Sequence, residues 1–412
     1  MSIAQEAPPA ESFKLSQLIY DTRYRSLTIQ VFALFAFMLA VGWLVNNTIS
    51  NLAALGKDFS FAFLWEPAGY DINQRLIDYD SRSPHARAAM VGILNTLLLA
   101  LVGCITATIV GVLAGVARLS KNWIVAKIMT VYVEVFRNVP TLLWIILFVA
   151  LVNEVLPSPR EFRGVETGAF VFTNRGVYFP EALFSRSMGD LSIAGLFNIS
   201  IDFLLILGVV IIGLFVSGRI GAWADQQQAA TGDRPQVIWY RLGVVFLPLI
   251  LLLLILGFHL GYPELKGFNF QGGTYVRDSF LGMWIALSLY TGAFIAENVR
   301  AGIMAVSKGQ TEAAFALGIR PNNTMSLVIL PQALRVIVPP LISQYLNLTK
   351  NTSLAIAVGY MDATGTLGGI TLNQTGREME TLLLLMAFYL IISLSISFVM
   401  NVYNERVKLK ER

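Results

Sequence analysis

The residues from Ser307 to Pro321 carry the most informative spacing in this chain: Glu312-Ala313-Ala314, then Gly318, with Leu330-Pro331 following. The segment holds no nucleophile, no acid–base pair and no metal-ligand set, so the chemistry open to it is recognition. Ser307 with Gln310 three residues on fits a capping box. Glu312 falls early, where a negative charge suits the helix dipole. Gly318 fits the position just past a helix end, and Pro321 follows it. A short helix of about three turns is expected here. Ala313 and Leu317 stack at i, i+4, as do Ala314 and Gly318, so a small, flat face is expected. A helix lying on a membrane would instead carry bulky apolar residues opposite Lys and Arg. A groove on another protein suits this composition better.

Other chemistry is sparse. His85 and His259 are the two histidines and lie far apart, which disfavours a His/Cys metal site. Cys104 is the one cysteine, so no disulfide forms within the chain. The fragment Gly56-Lys57-Asp58 is the nearest approach to a G-x-x-x-x-G-K-[ST] loop and lacks its first glycine and its hydroxyl, so ATP is not expected to bind here through a P-loop. No catalytic residue and no cofactor is assigned to this chain.

The elements that must position the segment are membrane spans. The sequence is 55% hydrophobic and 14% charged, with mean hydropathy +0.64. Soluble proteins carry roughly 25% charged residues. A span needs about 20 apolar residues, and eight stretches qualify: 27–45, 90–117, 128–153, 200–218, 238–258, 279–299, 326–347 and 381–402. The fold class expected is all-α, a polytopic membrane helix bundle of about eight spans. Pro331, Pro339 and Pro340 imply a hinge or a bend in the seventh.

More than half of the 30 Lys and Arg fall on one side if both termini are cytoplasmic, as the positive-inside rule requires. No small-residue cleavage site follows the first span, so it reads as an uncleaved anchor. Residues 1–89 are then an anchor span with an outer, periplasmic loop, and 90–412 the transmembrane domain. Within the latter, 90–153 and 277–412 form a core around an insert, 154–276, with two spans of its own. Gly111, Gly115 and Ala107 put small residues on one face of the second span, suited to close helix packing. Glu134 with Arg137, and Glu297 with Arg300, lie three apart at span ends, where pairing and snorkelling suffice. Hydrogen-bonding groups suited to a zwitterionic substrate are Asn95, Thr96, Ser288, Tyr290 and Thr291.

The order E-A-A, three residues, G, nine residues, V-x-L-P, here Glu312 to Pro331, resembles the coupling loop of bacterial ABC-transporter permeases. The flanks resemble the histidine/glutamine branch of polar amino acid permeases: Glu297-Asn298-Val299-Arg300-Ala301-Gly302, Gly309-Gln310-Thr311-Glu312-Ala313-Ala314, Leu330-Pro331-Gln332-Ala333-Leu334-Arg335, Lys350-Asn351-Thr352-Ser353-Leu354, Asn95-Thr96-Leu97, and Val133-Glu134-Val135-Phe136-Arg137-Asn138-Val139-Pro140. These matches cover about half the chain. The enlarged form resembles the longer permease of general L-amino-acid transporters.

This resemblance implies a type I ABC importer core of five spans plus three extra, in a bacterial inner membrane. It implies import of L-amino acids with a second permease subunit, here a shorter homologue in a heterodimer, and with two cytoplasmic ATPase subunits that bind ATP and Mg. A periplasmic amino-acid-binding protein completes the system. Coupling to the ATPase would run through Gly309, Gln310, Glu312, Ala313, Ala314, Gly318, Leu330 and Pro331. Two competing readings need features not seen in the sequence. An ion-coupled carrier needs a midplane carboxylate or unwound coupling site, and a membrane enzyme needs a cluster of acids, bases or metal ligands.

Overall fold

A computed structural model describes residues 22–54, 56, 58–165, 168–193 and 197–407. The chain divides into two compact units, Met1–Ala62 and Phe63–Arg412. The described part of the first is dominated by one apolar helix, α1 (Thr22–Ala54).

The second unit is mostly helical. Its helices are α2 (His85–Ala117), α3 (Trp123–Asn138), α4 (Thr141–Val155), α5 (Ile201–Thr231), α6 (Ile238–Leu256), α7 (Asp278–Met304), α8 (Lys308–Ala316), α9 (Leu330–Asn351) and α10 (Glu378–Val407). Among the described residues eight helices are long and apolar enough to cross a membrane, which agrees with the count read from the sequence. The third differs in where it starts. Val139, forced out of the α region by Pro140, is extended at φ −110°, ψ 136°. The expected span 128–153 is therefore two helices, α3 and α4, and the stretch long and apolar enough to cross begins at Thr141.

α7 is the axis of the bundle. Residues from Ser279 to Gly302 are buried along its length. The small face of α2 meets it: a Cβ on Gly111 would stand 2.6 Å from Ile295, and one on Gly115 2.7 Å from the Ala296 carbonyl. At its two ends Gly282 lies against the Val149 backbone of α4 and Gly302 against Ile337 of α9. Small residues thus let three neighbours approach one helix at backbone distance, the packing expected where lipid removes the hydrophobic drive between helices. Leu99, Ile145, Met283, Leu287, Ile295 and Leu348 fill the space between them.

α5 and α6 pack against each other, so closely that a Cβ on Gly213 would stand 3.1 Å from the Val245 backbone. The loops around this pair carry short strands. β1 (Val171–Thr173), β2 (Gly176–Phe179) and β9 (Thr274–Arg277) form an antiparallel sheet with Val171 opposite Tyr178 and Gly176 opposite Arg277. β3 (Glu181–Phe184) pairs with β6 (Phe258–Gly261), β4 (Asp190–Ile193) with β5 (Phe197–Ser200), and β7 (Glu264–Lys266) with β8 (Asn269–Gln271). The insert's loops before α5 and after α6 are thereby stitched together across the helical pair.

Candidate functional site

α8 follows the end of α7 and is closed at both ends. The Ser307 hydroxyl accepts from the Gly309 amide at 3.3 Å, the N-cap expected. The other half of the expected capping box is replaced: the Gln310 side chain accepts from Gln332 Nε2 of α9 at 3.3 Å. At the far end the Gly318 amide donates to Phe315 O at 2.9 Å and the Ile319 amide to Ala314 O at 3.0 Å. That is a Schellman closure, with Gly318 at φ +72° in the left-handed region glycine adopts freely. A Cβ at Gly318 would find no atom of this chain within 4 Å.

The outward surface of α8 is not the flat alanine face expected. Ala314 is buried, 3% exposed, while Glu312, Ala313, Ala316, Leu317 and Gly318 face out. Leu317 is 79% and Phe315 51% exposed, so two bulky apolar groups flank the small residues. Spacing along a helix says which residues share a side, not which side the bundle covers. Behind α8 the chain takes a wide π-helical run, Thr324–Ile329, that enters α9 directly. Leu330 and Pro331 lie at that junction, with Pro331 where the wide turns give way to α9. Pro339 and Pro340 sit inside α9.

A carboxylate gathers the helix ends on this side. Glu297 of α7 pairs with Arg300 at 3.0 Å, with Arg118 at the end of α2, and with Arg137 at the end of α3 at 3.8 Å. The sequence pairing of Glu134 with Arg137 is replaced: Glu134 accepts from Asn138 at 3.4 Å, and Arg137 reaches across to Glu297 and over the Phe294 ring. Local spacing cannot reveal a partner more than a hundred residues away.

The polar residues expected along a pathway fall at two levels, about 16 Å apart along α2. Ser288 bonds Thr106, which also accepts from Trp284 Nε1 at 3.0 Å, and Thr291 is buried beside them on α7. Tyr290 is half-buried, its ring 5.1 Å from Phe294. Asn95 and Thr96 instead hold the connection between α9 and α10. Asn95 donates to Gln74 O and Met361 O, both at 2.8 Å, and Thr96 accepts from the Ala363 amide at 3.0 Å. Among the described residues Asn95 Oδ1 is buried without a partner.

That connection holds a residue the sequence reading passed over. Asp362 is fully buried, accepting from the Gly365 amide at 2.8 Å and the Tyr389 hydroxyl at 3.3 Å. Among the described residues no cation pairs with it. Burial, partly offset by those two donors, pushes its carboxyl up to about 7. Nothing in the sequence marks it, because Asp362 lies between two spans, where a carboxylate is ordinary.

The geometry describes a helix bundle with an apolar core, buried polar groups at two levels, and an exposed, self-closed helix on one end. Residues 237–410 match the family described as binding-protein-dependent transport system inner membrane component. The glutamate/glutamine/aspartate/asparagine transport system permease protein of Rhodobacter capsulatus is 54% identical over the whole of both chains. The chain belongs to this family of transport permeases. The general L-amino acid transport system permease protein of Rhizobium johnstonii is 44% identical over 96% of this chain and 95% of its own. A putative amino-acid ABC transporter permease of Escherichia coli is 43% identical over 94% and 95%. The protein is thus a multi-pass ABC-transporter permease subunit and not an ATPase.

Proposed function

We propose that this permease imports L-amino acids, with acidic amino acids and their amides the first substrates to test, given what the R. capsulatus relative is named for. In this reading it works with a second, shorter permease in a heterodimer, a soluble amino-acid-binding protein, and two ATPase subunits that hold ATP and Mg. It sits in a bacterial inner membrane with both termini cytoplasmic.

The observation that carries the coupling role is α8. It is capped at both ends by its own chain, joined to α9 by the Gln310–Gln332 bond, and outward-facing through Glu312, Ala313 and Gly318. The Gly309, Gln310 and Ala314 positions build the helix, and Leu330 and Pro331 pass its motion to α9. The ATPase would grip the outward face, and closure of the ATPase pair would tilt α8 and with it α7 and α9.

The test is reconstitution with the ATPase, second permease and binding protein in liposomes, comparing wild type with Gly318→Asp and Glu312→Arg. Both variants should insert normally and lose uptake by more than tenfold, with hydrolysis no longer stimulated by loaded binding protein. Unchanged uptake at matched protein levels would refute the assignment.

A further inference from the structure

We infer that α3 does not begin a membrane crossing but lies along the membrane surface on the α8 side, bedding an apolar stripe among the acyl chains of anionic lipids. The C-terminal end of α3 lies level with the residue that closes α2. Arg118 precedes α3 and Arg137 ends it, yet both guanidinium groups meet the same carboxylate, Glu297. A crossing needs a separation of about 30 Å between entry and exit. The crossing begins only past Pro140: α4 runs antiparallel to α7, from Thr141 to the contact of Val149 with Gly282 near the start of α7.

The sides of α3 agree with that placement. Val133, fully buried with Ala114, Ala293 and Ala296, faces the bundle, and the Tyr132 hydroxyl donates to Leu289 O at 2.6 Å. The opposite side carries Ile124, Ile128, Val131 and Val135 at i, i+4, i+7 and i+11, between 58% and 45% exposed. Between the two lies a polar edge with Lys127, Glu134 and Asn138. Trp123 at the first turn is 74% exposed, an aromatic at headgroup level. Lys121 and Lys127 are exposed and make no ion pair among the described residues, and Glu134 on the same edge is bonded by Asn138. Two free cations beside an unpartnered apolar stripe match the charge of an anionic lipid surface.

The experiment uses the full chain assembled with its partner subunits in lipid nanodiscs. In a Cys104→Ser background, single cysteines at Ile124, Ile128, Val131 and Val135 carry nitroxide labels, and depth is read from collisions with oxygen and with a nickel chelate. Positions 143, 147 and 151 of α4 serve as the crossing reference and must show graded depth. The four α3 labels should share one shallow depth. A gradient of about 16 Å across them would show a crossing helix and overturn the inference. Shielding from oxygen in the assembled complex alone would give the face to a protein partner and overturn it equally. Lys121→Gln with Lys127→Gln should lower co-purified phosphatidylglycerol relative to phosphatidylcholine about fivefold per lysine. An unchanged ratio would remove the anionic-lipid part of the inference.

Discussion

α9 is flanked at both ends by short, non-crossing segments, and the two are built in opposite ways. At its start, α8 spends its hydrogen bonds on closing itself and leaves Phe315, Leu317 and Glu312 to the outside. At its end, the connection from Thr352 to Thr375 turns inward. His85 and Tyr70 both reach the Thr371 hydroxyl, at 3.0 and 3.3 Å, while Asn95 and Thr96 of α2 and Tyr389 of α10 hold Met361 to Gly365. The two segments thus differ in how much of their surface this chain covers. The first keeps an open outer face, and the second is covered by this chain. Substitutions in the second should damage the isolated protein, whereas those in the first should damage only the assembled machine.

The sharpest break in that contrast would come at Gly92. A Cβ there would stand 2.6 Å from the Asp362 carbonyl, a backbone atom that cannot swing away. Gly92→Leu should prevent the connection from seating and abolish a monodisperse product in detergent chromatography. A normal elution profile would mean that the connection is not held against α2. Next in size is Thr96→Val, which keeps the shape but strands the buried Ala363 amide. A cost of about 1–3 kcal/mol is expected, read as a lower midpoint of thermal unfolding. Asp362 gives a smaller, pH-dependent effect. Its folded value of about 7 lies above the ordinary 3.8, so the folded state keeps a proton that the unfolded chain has released. Stability should decline as pH rises from about 4 to 7 and level off above that. The facing Tyr360 hydroxyl is pushed up by burial, away from that window. Asp362→Asn should flatten the profile, and an identical slope in the variant would assign the pH dependence elsewhere. The smallest effect belongs to the opposite end of α9. Gly318→Asn should change thermal stability by less than about 1 kcal/mol, since Asn tolerates the left-handed region and no neighbour is near. A large loss would mean that the loop is held by its own chain after all.

The sequence was legible where a signal is local. Span number, the cap at Ser307, the glycine stop at Gly318 and the small face at Gly111 and Gly115 all follow from periodicity and residue type, and the structure agrees with each. What stayed hidden needed partners distant in sequence. Gln310 looked like half of a capping box because Gln332 is 22 residues away. Glu134 looked like the partner of Arg137 because Glu297 cannot be placed beside it from spacing alone. Ala314 was assigned to the outer face because helix stacking fixes which residues share a side, not which side faces the bundle. The strands of the insert were invisible because each is three or four residues long, and two of the pairings, β2 with β9 and β3 with β6, join loops on either side of α5 and α6.

The wide-turn run at Thr324–Ile329 and its counterpart at Thr364–Thr371 flank α9 on either side. A π turn holds one residue more than the α-helix around it. Removing a residue from either run would restore ordinary helical winding, whereas removing one from α9 itself would rotate every later side chain by about 100°. The two runs are therefore the places where a lineage of this protein can lengthen or shorten by one residue and still keep its bundle.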